Sequence, residues 1–470
     1  MLFNSWVFLA FFCIVLALYV LTQRRLSWQN AMLLIASYVF YGWWDWRFLG
    51  LVLLSTVIDY VAAIRIDSAP NPVARKRWLM VSMVSNLGVL AGFKYFGFFV
   101  DSLDALLHAV GIDGALPTVS IVLPVGISFY TFQTMSYTID VYRRELPACT
   151  SFRDFALYVT FFPQLVAGPI ERSVHLLPQT QRPRIMTAEG IEAGMFLCLW
   201  GLFKKVVVAD NAATIANAIF ADPSAHSGSA LLLGALAFTA QIYGDFSGYS
   251  DIARGLAKIM GFELMINFKL PYFAVSPSDF WRRWHVSLSS WLRDYLYIPL
   301  GGNRGGRWAT DRNLMLTMTL GGLWHGAAWN FVIWGVYHGL LLILYRAVGS
   351  LPGPRLPTAV WWADLLRVAV MFPLTVVGWI IFRVGSLADL GAFASGIGVP
   401  SAADHELQWA ALGAVWLPVL LMQLAQLARN DLLCALRLPA LLRGILYGLL
   451  LAATVALSTG ESNEFIYFQF

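Results

Sequence analysis

The sequence predicts an all-α fold, a polytopic bundle of transmembrane helices, from three observations. The chain is 59% hydrophobic and only 13% charged, whereas soluble domains average about 25% charged residues. Apolar runs of about 20 residues, the length that crosses a bilayer, recur along the chain. The 19 Trp, 18 Tyr and 32 Phe are typical of a protein with aromatic belts at both membrane interfaces. Residues 1–470 are therefore expected to form a single integral membrane domain.

The distribution of Lys and Arg predicts how the first helices are oriented. The apolar run Leu2 to Leu21 precedes Arg24 and Arg25, whereas a cleavable signal peptide has its basic residues in front. The positive-inside rule therefore makes this run an anchor with its N-terminus outside. Alternating loops then predict five successive crossings, at residues 2–21, 30–44, 48–64, 78–100 and 119–139. Basic cytoplasmic loops explain the net charge of +5, so nucleic acid is not an expected partner.

The segment Phe155 to Ile170 interrupts this alternation. Basic loops flank it on both sides, and it contains Pro163, Gly168 and Pro169. We therefore expect it to be re-entrant, dipping into the membrane and returning to the cytoplasmic side. Irregular backbone at membrane depth is tolerated only where it is buried in protein or lines a wet cavity. The segment is accordingly expected to line a cavity.

The second half of the chain predicts further crossings and one hairpin. Two crossings, at residues 190–220 and 229–252, precede a basic stretch, 254–312, that should be cytoplasmic. The next apolar run, Asn313 to Trp324, reaches only about 18 Å, less than a bilayer core of about 30 Å. It is therefore expected to rise in a helical hairpin with His325 at its tip. Crossings at residues 364–382, 407–428 and 442–458 bring the total to about ten and leave the C-terminal tail outside.

His325 is the first candidate for chemistry, because ionisable residues at membrane depth are functional by default. It lies in the run Gly321-Gly322-Leu323-Trp324-His325-Gly326, whose glycines allow close helix packing. Imidazole titrates near neutral pH, so it can take a proton from a hydroxyl and later return one. A neutral histidine that donates to a buried carbonyl is the competing interpretation, and these residues alone leave both open.

His285 is the second candidate. It lies among basic and aromatic residues in the run Trp281 to Ser289, and an interfacial belt residue with a polar tip is the competing interpretation. A third histidine, His338, is separated from His325 by roughly 220° around a helix. We therefore expect His338 to be structural rather than to share a site with His325.

Two further segments could bind a donor. The run Asp245 to Asp251 could orient a histidine or bind a donor, or it could be a capping and packing segment. The run Gly301 to Gly306 could cradle a phosphate through backbone N–H groups, or it could be a plain cytoplasmic turn. The sequence contains no HExxH, no GxSxG and no dinucleotide fingerprint, and its four cysteines are scattered. Neither a metal nor a bound cofactor is therefore expected.

Several segments of the chain resemble the bacterial alginate O-acetylation branch of the membrane-bound O-acyltransferase family. The similarity covers nearly the whole chain, and the enzyme of Gram-positive teichoic-acid D-alanylation is a more distant relative. The segments that carry the resemblance are residues 38–41, 123–130, 162–169, 243–251, 281–298, 301–306 and 320–326.

The resemblance implies a helical fold with a central tunnel and a catalytic core at about residues 150–350. It implies an essential histidine at His325 and a second family histidine at His285. It implies an acyl donor on the cytoplasmic side of the bacterial inner membrane, either acetyl-CoA or an acyl-carrier thioester. It also implies hand-off to an extracytoplasmic acetyltransferase partner that modifies an exopolysaccharide, alginate or cellulose. The residues expected to bind the donor are Asp245, Arg282, Arg283 and Arg304.

The tail Glu464 to Phe470 resembles an aromatic ending of this branch and of a small partner of the D-alanylation enzyme, where a tyrosine is a proposed acyl relay. Tyr467 is therefore a candidate relay on the periplasmic side, where both termini are expected, and an interfacial anchor is the competing interpretation. The resulting hypothesis is transmembrane acetyl transfer with His325 as general base, helped by His285. One alternative is an enzyme that acylates a lipid or small alcohol directly. The other is a transporter or flippase in which His325 only gates.

Overall fold

The computed structural model describes residues 1–112, 121–226, 228–349, 360–400, 405–458 and 465–466. Across these ranges the chain is helical and contains no β-strand, which confirms the predicted all-α class. The α-helices are α1 (Trp6–Thr22), α2 (Leu26–Asp45), α3 (Leu49–Ser68), α4 (Pro72–Leu90), α5 (Phe96–Ala109), α6 (Ile127–Arg143), α7 (Phe152–Thr160), α8 (Phe162–Leu165), α9 (Ser173–Thr180), α10 (Ala188–Leu202), α11 (Asp210–Ala221), α12 (Ser229–Ile259), α13 (Pro277–Arg283), α14 (Val286–Leu292), α15 (Gly306–His325), α16 (Trp329–Gly349), α17 (Trp361–Arg383), α18 (Leu387–Gly396), α19 (Glu406–Arg429) and α20 (Ala440–Ala456).

Several helices have the length and composition of membrane spans. Within the described ranges there are six such helical segments: residues 26–68, 72–109, 229–259, 329–349, 361–383 and 406–429. A 3-10 turn at Trp46–Phe48 divides the first segment into α2 and α3, and a π-helical turn at Ala91–Tyr95 divides the second into α4 and α5. Helix α17 agrees with the crossing predicted at residues 364–382. The chain is therefore a polytopic membrane protein, and the number of about ten crossings stays a prediction.

The chain divides into two compact units. Unit 1 comprises residues 1–194 and 256–265, and unit 2 comprises residues 195–255 and 266–470. Two helices, α10 and α12, contribute residues to both units. The expected single domain at residues 1–470 stays a prediction, as does the central tunnel.

Helix α6 of unit 1 begins later than the sequence pattern predicts. The expected crossing started at residue 119, but the helix begins at Ile127, after Gly126 in a left-handed conformation with φ +77°. A Cβ atom at position 126 would lie 2.8 Å from the carbonyl oxygen of Leu165. Only glycine therefore fits this close turn, and the apolar residues before it are not helical between positions 121 and 124.

The segment predicted to be re-entrant forms only short helices. Helix α7 has nine residues, which extend about 14 Å, too short to span a bilayer. The chain leaves helical geometry at Phe161, and Pro163 lies in the first turn of α8. Side chains such as Phe155 and Tyr158 are fully buried in unit 1. The irregular backbone is thus confirmed, while the re-entrant path and the cavity stay predictions.

Unit 2 contains a helical hairpin of α15 and α16, joined by residues 326–328. Glycines allow the backbones of the two helices to come into contact. A Cβ atom at Gly322 would lie 2.2 Å from the carbonyl oxygen of Phe331, and a Cβ atom at Gly335 would lie 2.4 Å from the carbonyl oxygen of Met318, so neither position has room for a side chain. His325 is the last residue of α15, as predicted for the tip. The helix is longer than the predicted apolar run, which began at Asn313. Its first turns also include the charged segment Arg307 to Arg312.

Candidate active site

His325 lies in an aromatic enclosure at the end of α15. Its side chain is only 4% exposed. The ring centroids of Trp324, Trp334 and Phe382 lie 5.1, 5.0 and 5.4 Å from that of its imidazole, all near edge-to-face. Gly326 follows in an extended conformation with φ −160°, which ends the helix directly after the histidine. The enclosure therefore fixes the imidazole at a helix terminus and keeps bulk water away from it.

His285 lies in the sharp turn between α13 and α14 and is completely buried. Its backbone is left-handed, with φ +43°, a conformation that costs about 1–3 kcal/mol in a residue with a side chain. The chain around Asn267 stabilises this turn, because Val286 N–H donates to the Asn267 carbonyl at 3.0 Å and Lys269 N–H donates to the Arg283 carbonyl at 2.9 Å. Such a strained residue, held by a second segment, is typical of functional sites.

Asn267 also determines the tautomer of His285. Its side-chain oxygen lies 3.1 Å from the Ser287 backbone N–H, 2.8 Å from the Ser287 hydroxyl and 3.2 Å from His285 Nδ1. A backbone N–H can only donate, so this Asn267 atom is the amide oxygen and can only accept. His285 Nδ1 must then carry the proton. The lone pair of the neutral imidazole consequently lies on Nε2.

The two histidines lie side by side in unit 2. Their ring centroids are 6.4 Å apart with an interplanar angle of 61°, and the Trp324 ring is 5.9 Å from His285 and 5.1 Å from His325. Burial lowers the pKa of His285, which lies outside the six candidate spans, to about 3. His285 is therefore neutral at physiological pH. Two buried imidazoles that lie side by side among aromatic rings are groups able to transfer protons during acyl transfer to a hydroxyl.

His338 packs against the enclosure of His325 through Trp334, and its expected structural role stays a prediction. Its ring lies 4.6 Å from that of Trp334, which also contacts His325, and it stacks on Phe280 at 5.9 Å. The wheel angle was wrong because His325 and His338 belong to different helices of the hairpin, α15 and α16. Angular separation along one helix has no meaning across the break at residues 326–328.

Asp245 lies inside the bundle rather than at its surface. It is 2% exposed. Lys205 Nζ contacts its Oδ1 at 2.9 Å, and Lys205 also contacts Asp210 at 2.8 Å. The backbone N–H of Ile466 donates to Asp245 Oδ2 at 2.6 Å. The neighbouring residue, Phe246, packs edge-on against His285 at 4.7 Å.

The other candidate donor-binding residues are more accessible. Arg282 and Arg304 are exposed, whereas Arg283 is partly buried and forms an ion pair with Asp279 at 2.8 Å. Arg282 and Arg283 end α13, and Trp284 separates them from His285. Arg304 lies in the glycine-rich turn before α15. Tyr467 lies outside the described residues.

Sequence reasoning missed the residues that support the two histidines. Asn267 lies in a loop with no periodic signal, and its pairing with the His285 turn is visible only in three dimensions. Lys204 and Lys205 did carry a signal, because both interrupt an apolar run. Their partners, Asp251 at 2.7 Å and Asp245 at 2.9 Å, lie on another helix and could not be assigned from spacing.

Comparison with known proteins shows which family of proteins this chain resembles. A model of the membrane-bound O-acyltransferase family matches residues 39–351. A probable alginate O-acetylase of Pseudomonas aeruginosa is 48% identical over 389 residues, which cover 82% of this chain and 73% of the relative. A peptidoglycan O-acetyltransferase of Helicobacter pylori is 35% identical over 384 residues, covering 76% and 71%. A teichoic acid D-alanyltransferase of Bacillus subtilis is 26% identical over 275 residues, covering 55% and 68%.

Proposed function

The chain belongs to the membrane-bound O-acyltransferase family, and we propose that it moves an acetyl group from a cytoplasmic thioester across the bacterial inner membrane for O-acetylation of an exopolysaccharide. O-acyltransferase activity follows from the family and from relatives named alginate O-acetylase and peptidoglycan O-acetyltransferase. We choose alginate over cellulose as the polymer because the relative at 48% identity is a probable alginate O-acetylase. The donor is acetyl-CoA or an acylated carrier protein.

The observation that carries this proposal is the pair of buried imidazoles, with ring centroids 6.4 Å apart. His325 acts as general base and takes the proton of the acceptor hydroxyl. The hydroxyl oxygen attacks the thioester carbonyl carbon, a C–O bond forms and the C–S bond breaks. The departing thiolate takes the proton back from His325, so an ester and a free thiol result. His285 assists through Nε2, where the lone pair lies because Nδ1 carries the proton.

The donor side of the reaction requires cationic groups. Both candidate thioesters carry phosphate, which arginine binds through charge-assisted hydrogen bonds. Arg282 and Arg304 are exposed and remain the proposed phosphate ligands. Arg283, the last residue of α13 and two residues before His285, adds positive charge on this donor side.

The acceptor side involves the C-terminal tail and a partner. We retain Tyr467 as the hydroxyl that receives the acetyl group before it passes to an extracytoplasmic acetyltransferase partner. The support is its covalent neighbour, because Ile466 is buried in unit 2 and its N–H binds Asp245, the residue next to Phe246. A phenol ester preserves much of the transfer potential of a thioester. An acetyl group bound to the Tyr467 oxygen would therefore still be activated for a second transfer.

Direct acylation of a lipid or small alcohol is the alternative within the same family. It requires neither Tyr467 nor a periplasmic partner. The transporter interpretation is not retained, because it includes no covalent acyl transfer and the chain is an O-acyltransferase.

The test measures the acetyl content of secreted polysaccharide in cells that express wild type or a variant at matched membrane levels. We expect His325→Ala to abolish acetylation, while His338→Ala, a matched loss of a buried histidine, retains most of it. Tyr467→Phe abolishes acetylation if the relay is used and leaves it unchanged under direct acylation. Acetylation in His325→Ala cells close to that of wild type would refute the proposal.

A further inference from the structure

A buried ion-pair cluster beside the two histidines has no part in the proton transfers described above. Its centre is Asp245, in the middle of α12, which contacts the Lys205 ammonium at 2.9 Å. Lys205 is shared with Asp210 at 2.8 Å. A lysine between two carboxylates leaves one negative charge uncompensated, and a buried charge is costly without further hydrogen bonds.

The additional donor comes from the C-terminal tail. Among the described residues, the Ile466 backbone N–H is the one group that donates to Asp245 Oδ2, at 2.6 Å. Phe465 and Ile466 are 2% and 1% exposed. The Phe465 ring packs on Tyr249 at 4.8 Å and on Phe246 at 5.9 Å. The tail is thus bound through its backbone and through one aromatic side chain.

Local geometry makes this binding site rigid. Lys204 and Lys205 lie in a π-helical turn, Phe203–Ala209, and such turns are frequent at functional sites. In this turn Lys204 binds Asp251 and Ser247 while its neighbour Lys205 binds Asp245, so two consecutive lysines both contact α12. Gly244 and Gly248 allow the close approach, since a Cβ at Gly244 would lie 2.9 Å from the Lys204 carbonyl oxygen.

The chain that leads to the tail is anchored at the start of α11, directly after this turn. Asn211 Nδ2 donates to the Leu457 carbonyl, directly after α20, at 3.0 Å. Asn211 follows Asp210, the second carboxylate partner of Lys205. Both the end of α20 and residues 465–466 are therefore held by the segment around Lys205 and by its partner on α12.

We propose that Lys205 and Asp245 form a clasp that binds the C-terminal tail through the Ile466 backbone N–H and holds it beside the His285–His325 pair. In this role Asp245 is a positioning residue and not a ligand of the donor. Its contact to the reacting groups runs through Phe246, whose ring meets His285 at 4.7 Å and Phe465 at 5.9 Å. The positioning role rests on the proposed acetyl transfer, whereas the binding of the tail does not.

Hydrogen–deuterium exchange of the full-length chain in nanodiscs tests the clasp directly. In wild type the Ile466 amide is buried and hydrogen-bonded, so its exchange should be slow. Because a hydrogen bond to a charged group contributes more than a neutral one, Asp245→Ala should accelerate exchange of this amide by about tenfold or more. The matched control is Asp251→Ala, which removes another carboxylate of α12 and also leaves Lys204 without its carboxylate partner. It should leave exchange at Ile466 unchanged.

Asp245→Asn keeps the volume of the side chain and serves if Asp245→Ala does not fold. It should also accelerate exchange at Ile466, since the charge of the acceptor is lost. Equal exchange at Ile466 in wild type and in a folded Asp245 variant would overturn the clasp, as would equal acceleration in Asp251→Ala. This readout does not depend on acetyl transfer, so it stands even if the proposed function fails.

Kinetics distinguish a positioning residue from a donor ligand. If Asp245 positions the tail, Asp245→Asn lowers kcat for acetyl transfer and leaves the KM for the donor unchanged. A raised KM with unchanged kcat would instead assign Asp245 to donor binding and overturn its positioning role.

Discussion

Replacing Asn267 by alanine should remove the control of the tautomer and orientation of His285, while both histidine side chains remain present. The Asn267 side-chain oxygen accepts from Ser287 N–H, the Ser287 hydroxyl and His285 Nδ1. At about 1 kcal/mol for each buried hydrogen bond, Asn267→Ala should lower the free energy of unfolding by about 3 kcal/mol. The imidazole also loses the group that selects its tautomer and orientation, for which we expect a fall in kcat of about a hundredfold.

Thermal unfolding in detergent measures the first effect, and acetyl transfer from a radiolabelled thioester measures the second. Asn330→Ala is the matched control, because the Asn330 side chain donates a single hydrogen bond, to the Phe382 carbonyl at 3.0 Å. It should cost about 1 kcal/mol and little activity. If both variants lose stability and activity equally, the special role assigned to Asn267 is wrong.

Asn267→Asp adds a pH dependence to this prediction. A carboxylate accepts the same hydrogen bonds but adds a negative charge next to His285, which favours the protonated imidazole and raises its pKa. Burial holds the pKa of wild-type His285 at about 3. The neutral form is therefore lost at a higher pH in the variant, and the acidic limb of the kcat/KM profile should move to higher pH. An unchanged limb would show that the protonation state of His285 does not matter for the reaction.

Three further predictions concern packing and the donor. Gly322→Ala should reduce the free energy of unfolding by about 3 kcal/mol, since the added Cβ would lie 2.2 Å from a backbone oxygen. Gly88→Ala is the control, because a Cβ at Gly88 would have no neighbouring atom within 4 Å. This control should not lower the apparent melting temperature. Trp334→Ala should lower the free energy of unfolding by about 3–5 kcal/mol. It should also reduce kcat, because it opens the aromatic enclosure of His325. An unchanged kcat would refute the role of Trp334 in that enclosure. Arg282→Ala and Arg304→Ala should each raise the KM for the donor several-fold. High salt should raise the KM of wild type towards that of the variants, because salt screens the attraction between arginine and phosphate. A wild-type KM that does not depend on salt would contradict phosphate binding.

Helices were the part of the fold most accessible to sequence reasoning. The apolar runs predicted at residues 364–382, 407–428 and 442–458 form the helices α17, α19 and α20 to within a few residues, and α17 and α19 are candidate membrane spans. Hydrophobic runs define such helices because each must hide its backbone from lipid. Prediction was weaker where polar residues continue a helix, as in the first turns of α15, and where glycine delays one, as before α6.

The candidate site was only partly accessible from sequence. His325 was a candidate because of its predicted place at membrane depth, and the resemblance to a family supported His285 as a second functional histidine. No pattern in the sequence predicted that their rings would be 6.4 Å apart. The Asn267 pairing and the clasp on Ile466 join residues distant in the chain, and local periodicity carries no information on such contacts. The tail was expected outside, at an interface or as a relay. The periplasmic location of the tail stays a prediction. Residues 465 and 466 are buried in unit 2, because α12 offers a carboxylate to the Ile466 N–H and an aromatic surface to Phe465.

The most direct test of the central claim is single-turnover acetyl transfer by the purified chain in nanodiscs, with radiolabelled acetyl thioester and His325→Ala compared with wild type. General-base catalysis contributes about 10²–10⁴-fold, so the account predicts a loss of that size in His325→Ala, with donor binding retained and with His338→Ala close to wild type. Transfer by a folded His325→Ala at the wild-type rate would contradict the assignment of His325 as the catalytic base.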